Sequence, residues 1–121
     1  MLNFIIENFS LDLSEMVHRQ RLFISIIKET LEDMGYFVKR NGDDLFFNGK
    51  KLSVSIATKS ITSCLIHTAL NIVPEGAPIE VSSLSEIGVV DVKAFANEVM
   101  KRFCKEEKSI KQAVCKVRGV I

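Results

Sequence analysis

The chain has 121 residues, 47% of them hydrophobic, and a formal net charge of +1. That length fits one domain with a small core, and the apolar content excludes a disordered chain. The balanced charge excludes an electrostatically driven nucleic-acid partner. Only the last turns are basic (Lys101, Arg102, Lys105, Lys108, Lys111, Lys116 and Arg118), and Glu106 and Glu107 dilute them.

No apolar run reaches the ~18 residues of a bilayer span, so no membrane partner is expected. Residues 1–6 are apolar, but Glu7 interrupts them and no small-residue cleavage site follows. Cys64, Cys104 and Cys115 are odd in number and lack metal-type spacing. They read as buried or half-buried free thiols in a reducing, cytoplasmic compartment. His18 and His67 lie far apart in sequence, so no zinc site is expected.

Periodicity does not decide between helix and strand for residues 1–9. Asp12 with Glu15 is a capping-box pattern. Met16, Phe23, Ile24, Ile27, Leu31 and Met34 then recur on one helical face, and Gly35 suits a helix end, which predicts a helix over 13–34. Strands are predicted over 36–40, 43–47, 50–58 and 61–73. Asn41-Gly42 and Asn48-Gly49 read as two-residue turns between the first three. The expectation is α+β: a four-stranded antiparallel sheet with helices packed on one face.

Pro74 to Pro78 marks a loop. Ser82 or Ser83 caps a short helical turn over 84–87, closed by Gly88. Asp91 caps a second long helix with Phe95, Val99 and Phe103 inside. Ile110, Ala113, Val114 and Val117 suggest a further helical stretch.

Strand parity assigns faces. Leu52, Val54 and Ile56 share one side of the third strand, and Lys51, Ser53 and Ser55 the other. In the fourth strand Cys64, Ile66, Leu70 and Ile72 oppose Ser63, His67 and Asn71. One side should therefore meet the helices. The other carries small hydroxyls, an imidazole, an amide and a lysine, with room for a ligand. The first hairpins add Asp43 and Asp44 before a turn and Gly49, Lys50 and Lys51 after it. Such a cluster can hold a cation beside an anionic ligand. In the first helix Arg19 and Arg21 lie about 200° apart, so they do not form one patch.

These residues resemble a known superfamily. Asp43-Asp44-Leu45 followed by Gly49-Lys50-Lys51-Leu52-Ser53 resembles the central block of biotin and lipoate protein ligases, in the superfamily of class II aminoacyl-tRNA synthetases and biotin synthetases. Those enzymes carry Lys-Trp-Pro-Asn-Asp, a hydrophobic strand, then Gly-Arg-Lys-Leu-Ala/Ser-Gly. Leu70-Asn71-Ile72-Val73 resembles their Gly-Ile-Asn-Val strand. Residues 82–88 and the helix after them resemble their Thr-Ser-Leu segment and final helix. More closely, Val17-His18-Arg19-Gln20-Arg21-Leu22 and residues 52–58 resemble a small uncharacterised, mostly archaeal family placed in this superfamily by fold.

The resemblance implies a partial ligase core, a single domain over 1–121 matching the C-terminal portion of that fold. Members of the small family are longer at the N-terminus, so the chain reads as a shortened member or a fragment. The ligases form an acyl-adenylate from a carboxylic acid and ATP and pass the acyl group to a protein lysine. By resemblance Lys51 would contact carboxylate and phosphate as the catalytic cation, and Asp43 and Asp44 would help place magnesium or the nucleotide. ATP and magnesium rest on the resemblance only.

The departures are specific. Asn41-Gly42 replaces Trp-Pro, Asp43 replaces the asparagine, and Val54 stands where the ligases have glycine. Nothing in residues 1–12 replaces their Gly/Arg-rich loop. The expected function is therefore a binding module for a small carboxylate or nucleotide, with a degenerate ligase-like site formed by Asp43, Asp44, Gly49, Lys50, Lys51, Ser53, Ser55, His67 and Asn71. The alternatives are an acyl-adenylate-forming ligase needing an N-terminal segment or partner, and a non-enzymatic interaction protein. With one sheet face uncovered, pairing as a homodimer is expected.

Overall fold

A computed structural model describes residues 1–9, 12–73 and 80–115. Residues 1–9 supply a strand, β1 (Leu2–Asn8), settling the ambiguity there. The helix α1 (Leu13–Asp33) follows, with Asp12 accepting the Glu15 N–H at 2.8 Å as N-cap. Its buried face includes Met16, Phe23, Ile24, Ile27 and Leu31, whereas Met34, the C-cap, is exposed.

The predicted single four-stranded sheet is replaced by two three-stranded sheets. β2 (Lys39–Asn41), β3 (Asp44–Phe47) and β4 (Lys50–Lys51) form a small antiparallel sheet in that order. β5 (Ser53–Lys59) and β6 (Cys64–Leu70) join β1 in the second, ordered β1-β6-β5 and wholly antiparallel. The predicted third strand thus breaks at Leu52. Its N–H bonds Leu45 O at 2.8 Å and its carbonyl accepts the Asn71 N–H at 3.0 Å, stitching the two sheets together.

That break has a consequence for side-chain direction. Leu52 and Ser53 are both buried, two in succession, so the alternation slips by one residue. Ser53 and Ser55 turn toward α1, and Val54 and Ile56 turn outward, the reverse of the predicted parity.

The turns obey their backbone chemistry. Asn48 and Gly49 both have positive φ, 53° and 74°, as a type I′ hairpin requires. In the other hairpin Asn41 pairs with Asp44, so the bend is Gly42-Asp43 rather than Asn41-Gly42. Positive φ falls on Gly42 alone, at 64°, the pattern of a type II′ turn.

A short helix α2 (Leu84–Ile87) is capped by Ser83, whose Oγ accepts the Glu86 N–H. The long helix α3 (Val92–Val114) starts at the Asp91 cap and runs unbroken through Ile110 and Ala113, so among the described residues these belong to α3 rather than to a further helix; Val117 and the Pro74 to Pro78 loop lie outside the described residues. The main core joins the layers, and Met16, Cys64 and Ile66 form a second, smaller cluster. Phe23 of α1 meets Phe4 of β1 and Phe103 of α3 edge-to-face, each at 5.2 Å. Arg102 bonds Glu98 at 3.0 Å and Asp33 at 2.7 Å, tying α3 to α1; these two carboxylates, Glu98 first, raise the guanidinium pKa.

Cys64 is buried, while Cys104 and Cys115 are exposed, and none of the three forms a disulfide. Among the described residues no helix is long and apolar enough to cross a membrane.

Candidate functional site

The small sheet has an inner and an outer face. Leu45, fully buried, joins the core. Lys39, Phe46 and Lys51 stand side by side across β2, β3 and β4 by register, so they share the outer face. Phe37 precedes Lys39 by two residues and is 73% exposed. Phe37, Lys39, Arg40, Asn41, Phe46, Asn48 and Gly49 line a groove of about 530 Å³.

The electrostatics of this groove are one-sided. Lys51 Nζ lies 3.2 Å from Asp44 Oδ1, so that cation is partly neutralised. Among the described residues no carboxylate pairs with Lys39 or Arg40, and Arg40 Nη1 donates to Gly42 O at 2.7 Å. Arg21 adds a third cation nearby. A Cβ built on Gly42 would sit 3.7 Å from Arg21 Nη1, which puts the guanidinium against the turn. Arg19, by contrast, pairs with Glu107 of α3.

The predicted site residues are scattered. Gly49 lines the groove, and Lys51 and Asp44 flank it beside Phe46. Lys50 points elsewhere, toward Glu80 at 3.5 Å. Ser53 is buried and Ser55 half-buried, both on the inner side. Ser53 Oγ accepts the Leu45 N–H at 3.1 Å, and Ser55 Oγ meets Gln20 Nε2 at 2.9 Å and Thr68 Oγ1 at 2.8 Å. Asn71 donates to Ser82 O at 3.1 Å. His67 lies on the opposite, open side of the larger sheet, with Nε2 2.9 Å from Asn3 Oδ1. The expected single polar face of Ser53, Ser55 and His67 therefore does not exist, because the slip at Leu52 sends the serines inward.

The two acids also diverge. Asp43 Oδ2 accepts from Gln20 Nε2 at 3.3 Å, on the α1 side, while Asp44 turns to Lys51. They do not converge as a carboxylate pair for a divalent cation. Among the described residues no cluster of three His, Cys, Asp or Glu side chains gathers. The groove offers instead two aromatic rings, two asparagines and unneutralised cations, which suits an anion carrying a flat apolar part.

Sequence reasoning missed Phe37, Lys39, Arg40 and Phe46. Strand parity contained the signal, since Phe37, Lys39 and Asn41 alternate toward one face.

A family described as a domain of unknown function, DUF366, matches residues 1–118 of this sequence. The chain belongs to that family. One similar protein is the uncharacterized protein MJ0805 of Methanocaldococcus jannaschii, 36% identical over 122 residues that take in 99% of this chain and 55% of that protein. The DUF366 chain thus spans little more than half of this curated relative. A solved protein of unknown function from Pyrococcus horikoshi superposes with a TM-score of 0.86 at 33% identity, over 98% of this chain and 64% of that one. The biotin protein ligase from Aquifex aeolicus in complex with biotin and ATP superposes with a TM-score of 0.76 at 19% identity, over 91% and 51%. DUF366 thereby shares the fold of biotin and lipoate protein ligase cores.

Proposed function

We propose that this DUF366 domain is a binding module for a small anionic ligand, a nucleotide or an aromatic or acyl carboxylate, held in the groove of the small sheet. The observation that carries this reading is the pairing of Phe37 and Phe46 with Lys39 and Arg40 around a cavity of about 530 Å³, with no carboxylate partner for Lys39 among the described residues. A base or acyl chain would lie against the rings, and its phosphate or carboxylate would meet Lys39, Arg40 and Lys51. In the Aquifex ligase, a fold neighbour, the bound molecules are biotin and ATP.

Two features support binding without self-sufficient acyl transfer. Val54 is 47% exposed on the open face of the larger sheet, where its branched side chain blocks the close approach a glycine allows. The acids do not gather a metal, so neither carboxylate would supply the orientation that acyl transfer requires. On this reading the chain is one domain corresponding to the C-terminal portion of a ligase-like fold, acting in the cytoplasm and pairing as a homodimer. The Lys51–Asp44 pair favours a second reading, an acyl-adenylating enzyme whose remaining groups come from another segment or partner.

Differential scanning fluorimetry with ATP, AMP, biotin, lipoate and fatty acids, each with and without magnesium, tests the proposal. A ligand at about a hundred times its Kd stabilises the folded state by about 2.7 kcal/mol, a shift of several degrees. The proposal expects such a shift from at least one anion, reduced in Lys39→Ala. No shift from any anion would refute it. Pyrophosphate exchange lost in Lys51→Ala would favour the enzyme.

A further inference from the structure

Gln20 and Arg21 are successive residues of α1 and point about 100° apart. Gln20 is buried, and its Nε2 donates to Asp43 Oδ2 at 3.3 Å. Arg21 is exposed, and its guanidinium lies along the same turn. A Cβ built on Gly42 would stand 3.7 Å from Arg21 Nη1 and 3.9 Å from both Cζ and Nη2, so the fork is laid broadside against the glycine. Arg40 reaches the same residue from β2. It stands opposite buried Leu45 in the register, so it turns to the α1 side, and its Nη1 donates to Gly42 O at 2.7 Å. Among the described residues neither fork meets a carboxylate at ion-pair distance, because Gln20 engages Asp43 and Lys51 engages Asp44. Arg21's fork makes no hydrogen bond among them either. Two guanidinium groups from different elements thus converge on one glycine, at most about 10 Å apart, with most of their N–H donors unused.

We infer that Arg21 and Arg40 form a clasp for a phosphate monoester, bound through the two forks alone and without a metal ion. The inference rests on the groove reading above and narrows its ligand to a flat ring that carries a terminal phosphate. A carboxylate offers one charge and acceptors in one plane. A phosphate monoester carries about two charges at neutral pH and three acceptor oxygens around phosphorus, so forks arriving from two directions can both engage it. Arginine suits this better than lysine, because its rigid plane fixes the direction of its donors. Asp43 and Asp44 diverge, so the phosphate charge is met by the forks rather than by a cation held on carboxylates. The spacing also fits. Lys39 and Arg40 point to opposite faces and both line the groove, so the groove follows β2. Gly42 lies three residues past Lys39, about 10 Å along an extended strand. That is close to the length of a nucleoside 5′-monophosphate, so a ring against Phe37 and Phe46 puts its phosphate at the turn.

Isothermal titration calorimetry on the full chain in EDTA, with AMP, cyclic AMP and biotin as probes, tests this. AMP should bind about tenfold more tightly than cyclic AMP, which keeps the ring but is a singly charged diester, and than biotin, which carries a carboxylate. Arg21→Gln should bring AMP affinity down to the cyclic AMP level. Its thermal unfolding should stay unchanged, because Arg21 is exposed and makes no ion pair among the described residues. AMP binding that only equals cyclic AMP binding, that requires magnesium, or that survives Arg21→Gln would overturn the clasp, and the groove reading stands if Phe37→Ala still weakens that binding. Biotin binding without AMP binding would likewise overturn the clasp alone. No binding by AMP, ATP, biotin, lipoate or fatty acids would overturn both.

Discussion

Lys51 Nζ and Asp44 Oδ1 stand 3.2 Å apart on the outer face of the β3–β4 hairpin, next to Phe46. A cation already held by a carboxylate has less field to offer an anionic ligand than one without a partner. Lys39, one strand away across Phe46, has no such partner among the described residues. The ligand's charge should therefore be felt first by Lys39 and Arg40, with Lys51 contributing less.

Replacing Lys51 by alanine is expected to leave folding nearly unchanged, because half-exposed surface pairs contribute about 0–1 kcal/mol. Ligand affinity should fall only a few-fold. Urea unfolding and a binding titration on the same preparation check both halves of this expectation.

Phe37→Ala separates binding from stability more sharply. At 73% exposure the ring adds little to the core, so the change in unfolding free energy should stay within about 0.5 kcal/mol. Loss of a stacking wall should cost about 1–3 kcal/mol of ligand binding, about fivefold to a hundredfold. Equal losses in stability and binding would show that the ring is structural.

Gln20 presents the opposite case. It is buried and bridges Asp43 and Ser55, and Ser55 continues to Thr68, so one chain of hydrogen bonds links the β2–β3 turn, α1, β5 and β6. Gln20→Ala leaves the partners inside without their donor and should destabilise the fold by about 1–3 kcal/mol. Thermal unfolding measures it.

Leu52→Ala should be costlier, about 2–5 kcal/mol, since Leu52 is fully buried at the joint between the two sheets. The hydrogen bonds of its backbone survive the change, so the loss comes from the cavity. A denaturant midpoint that hardly moves would mean that the joint is held by backbone pairing alone.

Much of this architecture was legible in the residues. The Asp12, Ser83 and Asp91 caps, the buried stripe of α1 and the Asn48-Gly49 turn are local, and local chemistry decides them. The family resemblance was legible too, in the run from Asp43 to Ser53. The division into two sheets was not, because it depends on Leu52 bonding Leu45 on one side and, on the other, Asn71 from beyond β6. Parity reasoning assumes an unbroken strand. Once Leu52 and Ser53 both turned inward, Ser53 and Ser55 left the proposed site, and His67 was left alone with Asn3 on the other side. The role of β1 was likewise hidden, because its pairing partner β6 lies more than fifty residues away. Lys39 and Phe37 belong to no motif, and only their alternation before the turn marks them in the sequence.

The most direct test of the ligand groove is an amide chemical-shift map of the 15N-labelled chain titrated with whichever anion gives the largest thermal shift. The account predicts saturable shifts centred on Phe37, Lys39, Asn41, Phe46 and Gly49, with Ile5, Ile56 and His67 unmoved. Shifts confined to those last three residues would place the ligand on the open face of the larger sheet and contradict it.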